Sequence, residues 1–264
     1  GATNNVNFMA VGSGTATTLN GLSLTNGTRY WASIRAMNGS GVVSSVASFN
    51  FKVDVTAASV PTVSNTYDFS TNLTEVPIEW LDSADSESDV TGYEVSIGTT
   101  AGGVERRGWT AASGTSATIL NAGLTNGVAY YANVRSVNGG GAKSSVSSFS
   151  FKVDVTVPSV PTVSHTYSYL TSASAVPIRW VAATDSQSLV TGYEVSVGTS
   201  AGNATIQNWT AASGSAATMN ISLTNGNVYY ANVRAINGAG LKSGISSFSF
   251  KVDTTAASVP TVNT

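Results

Sequence analysis

The chain contains 264 residues, of which 10% are charged, and its 12 basic and 14 acidic side chains leave a net charge of −2. A charge so small and so evenly divided excludes a strong electrostatic surface for nucleic acid or for an anionic membrane. Because the sequence has no cysteine, disulfides and thiolate metal sites are excluded as well. No apolar run approaches the roughly 20 residues that a membrane-spanning helix needs, so we expect no membrane insertion of this segment.

The sequence repeats itself after about one hundred residues. The motif Phe-Lys-Val-Asp occurs at residues 51–54, 151–154 and 250–253. A repeat of this length is large enough to be a domain with its own core, unlike a solenoid repeat of roughly 20 to 50 residues. The predicted boundaries are 1–54 for the C-terminal half of a domain, 55–154 and 155–253 for two complete domains, and 254–264 for a linker and the first strand of a following domain.

Short segments of alternating apolar and polar residues follow one another within the second copy and predict β-strands. In chain order they cover residues 76–80, 93–97, 130–136 and 149–153. Clusters of Gly, Asn, Ser and Asp separate them and predict turns, and no helical stripe of useful length is present. The pattern indicates an all-β fold, an antiparallel β-sandwich with two inward faces of Trp, Tyr, Phe and Val.

The second copy resembles a fibronectin type III domain. Its segment 124–130 resembles the family's leucine, tight turn and corner tyrosine. Trp80, Tyr93 and Pro61 resemble the family's strand-B tryptophan, strand-C tyrosine and strand-A proline. The resemblance implies tandem immunoglobulin-like sandwiches in an extended array with short links. The third copy matches at Pro161, Trp180, Tyr193, Leu223, Gly226, Tyr229, Val233 and Asn237. The first copy matches only in its later half, at Leu24, Gly27, Tyr30, Ile34 and Asn38.

The two ends of the sequence both correspond to parts of a repeat. Residues 1–54 match only the later half of a sandwich, and such a half would leave its inner face and strand edges uncovered. Either self-association with another chain completes it, or the sequence is a window cut from a longer protein, which we favour. At the other end, residues 258–262 repeat the opening strand of the complete copies. We therefore expect neighbouring domains of the same longer chain to be partners.

An acidic loop at residues 82–89 is the main candidate for a metal site, because closely spaced carboxylates suit calcium. The third copy keeps only one of its acidic residues, as Asp185. We therefore favour a solvated turn, and we predict no metal ligand and no cofactor. An aspartate also recurs beside each junction, at positions 54, 154 and 253, but too few ligands are visible there for a metal. The acidic residues of the loop are Asp82, Asp85, Glu87 and Asp89.

No catalytic arrangement recurs among the copies. His165 is the sole histidine, and the second copy has Asn65 at the corresponding position. A metal triad or a Ser-His-Asp triad therefore has no partners in the other copies, and no pair of carboxylates is placed for acid–base chemistry. The sequence predicts that this segment is not an enzyme.

The outward face of the sheet carries the recurring charged pairs. If strands C and F are neighbours, Glu94 and Arg135 form a cross-strand ion pair, and so do Glu194 and Arg234. Aromatic residues flank these arginines, and we expect them to form a cation–π ladder, with a platform for sugar or protein as the alternative. These aromatic residues are Tyr131, Tyr230 and Trp31.

Two further recurring features have a structural and a functional interpretation. Trp109 and Trp209 can serve as sugar platforms, although such tryptophans more often cover the open side of a sandwich. Three lysines are candidates for an intramolecular Lys–Asn isopeptide bond. Their alternation with Phe and Val turns them outward, away from the apolar surroundings that the bond requires, so we do not expect it. The lysines are Lys52, Lys152 and Lys251.

These features predict a non-catalytic spacer segment of an extracellular cell-surface or fibre protein that presents an adhesive or other terminal module. The alternatives are a glycan- or protein-binding adhesion module and an accessory domain of a secreted polysaccharide-degrading enzyme. The surface rich in Ser, Thr, Asn and Gly favours a bacterial protein in either case. The candidate ligand-facing aromatic residues are Trp31, Tyr131, Tyr230, Trp109 and Trp209.

Overall fold

A computed structural model describes residues 6–262 of the chain, except the side chain of His165. These residues form eighteen β-strands. Among the residues described, no helix is long and apolar enough to cross a membrane. The first ten strands are β1 Arg29–Ile34, β2 Ala47–Lys52, β3 Thr62–Val63, β4 Phe69–Ser70, β5 Val76–Leu81, β6 Val90–Gly98, β7 Arg107–Ala112, β8 Ser116–Ile119, β9 Ala129–Asn138 and β10 Ser147–Val153. The remaining eight are β11 Thr162–His165, β12 Tyr169–Leu170, β13 Ala175–Val181, β14 Val190–Gly198, β15 Gln207–Ala212, β16 Ala216–Asn220, β17 Val228–Asn237 and β18 Ser246–Val252.

The strands form two sandwiches with the same topology. The middle sandwich has a three-stranded sheet in the order β3-β5-β8 and a five-stranded sheet in the order β4-β10-β9-β6-β7. The third sandwich repeats both sheets, as β11-β13-β16 and β12-β18-β17-β14-β15. Strands β6 and β9 pair antiparallel, whereas the short β4 and β12 pair parallel with β10 and β18. The predicted all-β sandwich fold is confirmed.

The chain separates into two compact units, and strands of the middle sandwich are divided between them. One unit runs to residue 66 and includes residues 77–120 and 131–149, while the other includes residues 67–76, 121–130 and everything from residue 150 onward. The domain boundaries at 54, 154 and 253 remain a prediction.

The core of each sandwich lies between its two sheets, because the alternation predicted from sequence places apolar side chains on the inward faces. In β5, Val76, Ile78 and Trp80 are buried while the intervening residues are exposed. The Trp80 ring lies 5.2 Å from the ring of Tyr93, which comes from the other sheet. Burial of such aromatic pairs supplies much of the stabilisation of a sandwich, at about 25 cal/mol per Å² of apolar surface.

The predicted corner tyrosine follows the tight turn and lies at the start of β9. Tyr130 is fully buried, and its hydroxyl accepts a hydrogen bond from the backbone NH of Thr125 at 3.0 Å. Tyr229 accepts the same bond from Thr224. Gly127, in the same turn, has a φ of 80°, which glycine adopts without the penalty that a side chain would impose.

One residue on the outward face of β9 is buried although the alternation does not predict its burial. The alternation places Asn133 on the face opposite the core, and Asn133 is nevertheless fully buried. The loop between β6 and β7 covers it, because the Asn133 side chain accepts a hydrogen bond from the NH of Gly102 at 2.8 Å and donates one to the carbonyl of Gly103 at 2.9 Å. Asn232 is buried and bonded in the same way in the third sandwich. A buried amide with its donors and acceptors satisfied holds the loop in one conformation.

The first repeat contributes one pair of strands. Strands β1 and β2 form a two-stranded antiparallel sheet. Apolar side chains on this sheet are open to solvent, with Phe49 67% and Ile34 61% exposed. Its corner tyrosine, Tyr30, nevertheless accepts a hydrogen bond from the backbone NH of Thr25 at 2.8 Å.

Candidate functional site

The candidate site is the segment that follows β10, where the middle sandwich is joined to the third. Asp154 directly follows β10 and is 0% exposed. Its Oδ1 accepts a hydrogen bond from the NH of Thr156 at 2.9 Å, which fixes the first residues of the link. Its Oδ2 accepts bonds from the Asn237 side-chain amide at 2.9 Å and from the Ser188 hydroxyl. Asn237 ends β17 and Ser188 lies in the loop before β14, so one buried carboxylate joins the two repeats.

Asn237 is the main donor of this network and is 1% exposed. Its Nδ2 also lies 2.9 Å from the carbonyl oxygen of Thr156 and 3.2 Å from Oδ2 of Asp185. Its Oδ1 accepts a bond from the NH of Leu241 at 2.8 Å, which closes the turn after β17. The amide therefore supports its own turn with one end and holds the preceding repeat with the other.

Asp185 organises the second loop of the junction. Its Oδ1 accepts bonds from the backbone NH groups of Ser188 at 2.8 Å and Gln187 at 3.0 Å. Burial acts to raise the pKa of Asp185, but the bonds from Ser188, Asn237 and Gln187 outweigh it and lower the pKa below the ordinary value. The ionised form is therefore the one that builds the loop.

The same arrangement joins the first repeat to the middle sandwich. Oδ2 of Asp54 accepts bonds from the Asn138 amide at 2.7 Å and from the Ser88 hydroxyl, and its Oδ1 accepts one from the NH of Thr56 at 3.0 Å. The Asn138 amide also lies 3.2 Å from Asp85. We call this set of four side chains the junction clamp. It consists of Asp54, Asp85, Ser88 and Asn138 at the first junction and of Asp154, Asp185, Ser188 and Asn237 at the second.

A glycine follows the clamp asparagine in both repeats because there is no room for a side chain. A Cβ added at Gly238 would lie 2.5 Å from the carbonyl oxygen of Ser188 and 3.1 Å from Cε2 of Phe69. At Gly139 the same atom would lie 2.5 Å from the carbonyl oxygen of Ser88. The Asn-Gly pair is therefore required for close approach of the two loops, and at the second junction for the approach of the Phe69 ring.

The recurring lysines and the turn asparagines add further contacts at the junctions. The Lys152 ammonium group donates to the carbonyl of Gln187, and Lys52 donates to the carbonyl of Ser86 at 3.3 Å. Asn126, in the tight turn before β9, accepts a bond from the NH of Val155 at 3.0 Å and donates to the hydroxyl of Thr156. Each link is therefore tied to the sandwich before it as well as to the one after it.

The acidic loop contributes to a three-carboxylate group at the first junction. Oxygens of Asp54, Asp85 and Glu87 all lie within 4.8 Å of one another, an arrangement of hard oxygen ligands that suits calcium. The third copy has Gln187 in place of Glu87, so the group does not recur. Asp82 lies apart from it, 3.3 Å from the hydroxyl of Tyr93. The preference for a solvated turn over a calcium site stays a prediction.

The sheet face carries the predicted ion pairs, with a third member that was not predicted. Glu94 lies opposite Arg135 across β6 and β9, at 2.7 Å, and Lys143 reaches the same carboxylate at 2.9 Å. Burial acts to raise the pKa of Glu94, but these two cations outweigh it and lower the pKa below the ordinary value. Glu194, Arg234 and Lys242 repeat the arrangement.

Comparison with known proteins gives one curated relative and a set of similar folds. No protein-family model matches the chain. Exoglucanase B of Cellulomonas fimi is 31% identical over 247 residues, covering 87% of this chain and 21% of the exoglucanase. The chain thus spans about a fifth of the length of that relative. Among solved structures, fibronectin(III)-like modules of Clostridium thermocellum CbhA are 15% identical with a TM-score of 0.49, covering 73% of this chain and 94% of that one. Domains FN1–FN3 of chicken CNTN1 are 15% identical with a TM-score of 0.47, covering 88% and 80%.

The three- and five-stranded sheets recur in both sandwiches, Tyr130 is a buried corner tyrosine at the start of β9, and Trp80 is buried in β5. This is the arrangement expected from the resemblance. The two complete sandwiches have a fibronectin type III-like fold. Trp80 and Tyr93 lie in the core of the first of these domains, as the resemblance implies.

The aromatic residues on the sheet face of the fibronectin type III-like domains are arranged differently from the prediction. The guanidinium carbon of Arg135 lies 4.0 Å from the centre of the Trp109 ring, and that of Arg234 lies 4.1 Å from the Trp209 ring. In the first repeat, Arg35 lies over Phe8 in the same way. In both sandwiches this arginine therefore packs against the tryptophan of the edge strand, β7 or β15. Tyr131 and Tyr230 are half-buried, and Trp31 is 60% exposed.

Sequence reasoning missed the junction clamp, although its parts were visible. The aspartates at 54 and 154 recur, and each following copy carries Asp-x-x-Ser and Asn-Gly. All three features recur at matching positions of the copies, and this recurrence is the only sign in the sequence that they act together. Within one repeat, their spacing does not indicate that they are in contact.

Proposed function

We propose that this chain is a non-catalytic segment of a secreted protein, in which fibronectin type III-like domains act as spacers that hold neighbouring modules in a set arrangement. The observation that supports it most strongly is the junction clamp, because the same atoms recur at both junctions. A flexible tether would gain nothing from a carboxylate that is half-buried at the first link and fully buried at the second. Hydrogen bonds to charged groups contribute about 1.5–3 kcal/mol each, so bending at the link has to break favourable contacts.

The curated relative favours one setting for this spacer. Exoglucanase B is, by its name, a polysaccharide-degrading enzyme of a bacterium, and the similarity extends over 87% of this chain. We therefore propose an accessory segment of a bacterial polysaccharide-degrading protein, outside the cell, in preference to the shaft of an adhesive fibre. The spacer would set the separation between a catalytic module and the other modules of such a protein.

Small-angle X-ray scattering of the intact chain tests the spacer role. The wild-type chain should give a profile that is independent of salt between about 50 and 500 mM, because the clamp is buried and screened little by added ions. Asn237→Asp should shift the pair-distance distribution toward a broader, featureless shape, while Asn220→Asp, which adds the same charge at an exposed position, should leave it unchanged. A wild-type profile already as broad as that of Asn237→Asp would contradict the proposal.

Glycan binding is the second candidate function, and the edge-strand tryptophans support it. Trp109 and Trp209 are half-buried rings at corresponding positions of the two domains, and the relative's name refers to a glucan-degrading activity. Co-sedimentation with microcrystalline cellulose decides between the two. Binding by the wild-type chain that Trp109→Ala and Trp209→Ala both weaken would favour a binding module, and absence of binding would favour a spacer.

Self-association through the first repeat is a further proposal for a partner. The exposed Phe49 and Ile34 of its two-stranded sheet give an apolar surface that a second chain can cover. Light scattering across a range of concentrations tests it, with a dimer expected if the surface is used and a monomer throughout if it is not.

A further inference from the structure

The end of the third sandwich carries the accepting carboxylate and the link contacts that the preceding sandwich supplies at the second junction. Asp253 follows β18 as Asp154 follows β10, and its Oδ1 accepts a bond from the NH of Thr255 at 3.1 Å. Asn225 accepts a bond from the NH of Thr254 at 2.9 Å and donates to the hydroxyl of Thr255 at 2.9 Å. These are the contacts that Asn126 and Asp154 make with their link. The surface is therefore organised before anything docks on it.

The side chains that cover the second junction are exposed at this surface. Phe69, Lys152 and Asp154 contact the third sandwich through Gly238, Gln187 and Asn237 respectively. Their counterparts are Tyr169, Lys251 and Asp253. Tyr169 is 62% exposed, and Lys251 and Asp253 are exposed as well. An aromatic ring, an ammonium group and a carboxylate are thus exposed to solvent at positions whose equivalents contact the next sandwich at the second junction.

The residues that follow have the sequence of a strand that is docked elsewhere in the chain. Segments 56–63 and 255–262 both read Thr-Ala-Ala-Ser-Val-Pro-Thr-Val. In the first of them Ala58 and Pro61 are buried, and Ser59 exchanges hydrogen bonds with Ala84 of the loop after β5. In the second, every residue is exposed, and Val259 is 90% exposed. The same sequence is therefore packed and hydrogen-bonded at one place in the chain and exposed at the other.

We propose that the surface formed by Tyr169, Lys251, Asp253 and Thr255 is a docking site for another fibronectin type III-like sandwich, whose first strand is residues 255–262. The partner's chemistry follows from the two filled junctions: an Asp-x-x-Ser loop, whose serine hydroxyl reaches Asp253, and an Asn-Gly turn, whose amide donates to the same oxygen. The glycine is required so that the turn can approach the Tyr169 ring, as Gly238 approaches Phe69. The inference concerns this surface and stands whether or not the domains serve as spacers.

An extended chain tests the proposal without separating any domain from its neighbours. Because residues 255–262 are identical to 56–63, a second copy of residues 64–154 placed after Val262 rebuilds a sandwich with a continuous sequence. The measurement is the exchange rate of the side-chain amide protons of the copy's Asn138, read by NMR next to those of Asn138 itself. We expect both sets to exchange slowly, and we expect Asp253→Ala to accelerate the copy's set by about tenfold or more while leaving Asn138 unchanged.

Four outcomes would overturn the proposal. The copy's amide protons could exchange rapidly in a folded copy, or could be unaffected by Asp253→Ala. An appended copy that stays unfolded would show that residues 255–262 do not supply its first strand. Association of the unextended chain that depends on Asp253, seen by light scattering, would show that a second copy of the chain occupies the surface instead. Asp253→Asn, which keeps the Oδ1 acceptor for Thr255, separates loss of the docking contact from damage to the link.

Discussion

The substitution Asn237→Asp should open the second junction without unfolding either sandwich. It replaces the amide donor with a carboxylate of nearly the same shape. The turn after β17 keeps its support, because an aspartate oxygen can still accept the bond from the NH of Leu241. The contacts to Asp154 and Asp185 become contacts between like charges. The change therefore removes the clamp and leaves the local turn intact.

The expected magnitude follows from the bonds that are lost. The Asn237 amide has two protons, which are shared among Asp154, the carbonyl of Thr156 and Asp185 at 2.9, 2.9 and 3.2 Å. Hydrogen bonds to charged groups contribute about 1.5–3 kcal/mol each, and the new carboxylate adds repulsion from Asp154 and Asp185. Opening of the junction lets the carboxylates regain water, so the cost cannot exceed the free energy of docking. We therefore expect an open junction, with the free energy of unfolding of the third sandwich changed by less than about 1 kcal/mol.

Electron paramagnetic resonance provides the assay. Because the chain has no cysteine, the exposed residues Thr71 and Ser200 can be replaced by cysteine and labelled specifically. The wild-type distance distribution between the labels should be narrow and that of Asn237→Asp broad. Asn220→Asp, on an exposed strand position, is the matched control. The distance distribution of Asn237→Asp should narrow again below about pH 5. The neighbouring carboxylates raise the pKa of the new carboxyl group, and its protonation restores a hydrogen-bond donor to the clamp.

The reasoning would be refuted by a narrow distribution in Asn237→Asp at neutral pH, since the clamp would then contribute nothing to the arrangement of the two domains. A broad distribution that does not narrow in acid would also count against it. The loss would then come from the altered turn and not from repulsion between carboxylates.

Three further substitutions probe other parts of the account. Glu87→Gln makes the first junction resemble the second and removes one of three clustered carboxylates. At low salt it should raise the denaturant midpoint by an amount equivalent to at most about 1 kcal/mol. At 1 M NaCl it should have no effect, because salt screens the repulsion between the carboxylates. Tyr229→Phe should lower the free energy of unfolding by about 1 kcal/mol, because the NH of Thr224 loses its acceptor. Glu194→Gln should reduce the loss of stability between pH 7 and pH 3. Because the pKa of Glu194 is lowered in the folded chain, its carboxylate contributes about 0.5–1 kcal/mol of stability at pH values above its ordinary pKa. This contribution disappears as the pH falls through the pKa of the folded chain. Equal acid sensitivity of Glu194→Gln and the wild-type chain would contradict that assignment.

The strands and the core could be predicted because their signal is local. Alternation in the segment 76–80 is enough to identify β5 and its buried face, and the repeat confirms which positions matter. The burial of Asn133 could not be predicted in this way. Alternation correctly places it opposite the core, but a loop between β6 and β7 covers that face, and only the folded chain brings the two together.

The cation–π partners of the arginines and the junction clamp could not be predicted from the sequence, for related reasons. The pairing of β6 with β7 shifts register between Val95 and Ile97, and this irregularity sets where Trp109 stands relative to Arg135. No local pattern predicts such a shift. The clamp joins Asp54 to Asn138, 84 positions later in the sequence, through side chains that look like ordinary turn residues in either repeat. Their burial becomes apparent only when the two loops and the link are placed together.

The central proposal is that the clamp holds consecutive fibronectin type III-like domains in one arrangement. Residual dipolar couplings measured in a weakly aligned sample test it most directly, with the amides of β6 and β9 reporting on one domain and those of β14 and β17 on the next. The account predicts that both sets fit a single alignment tensor of one magnitude in the wild-type chain. Two tensors of clearly different magnitude would show that the domains reorient independently, and would contradict it.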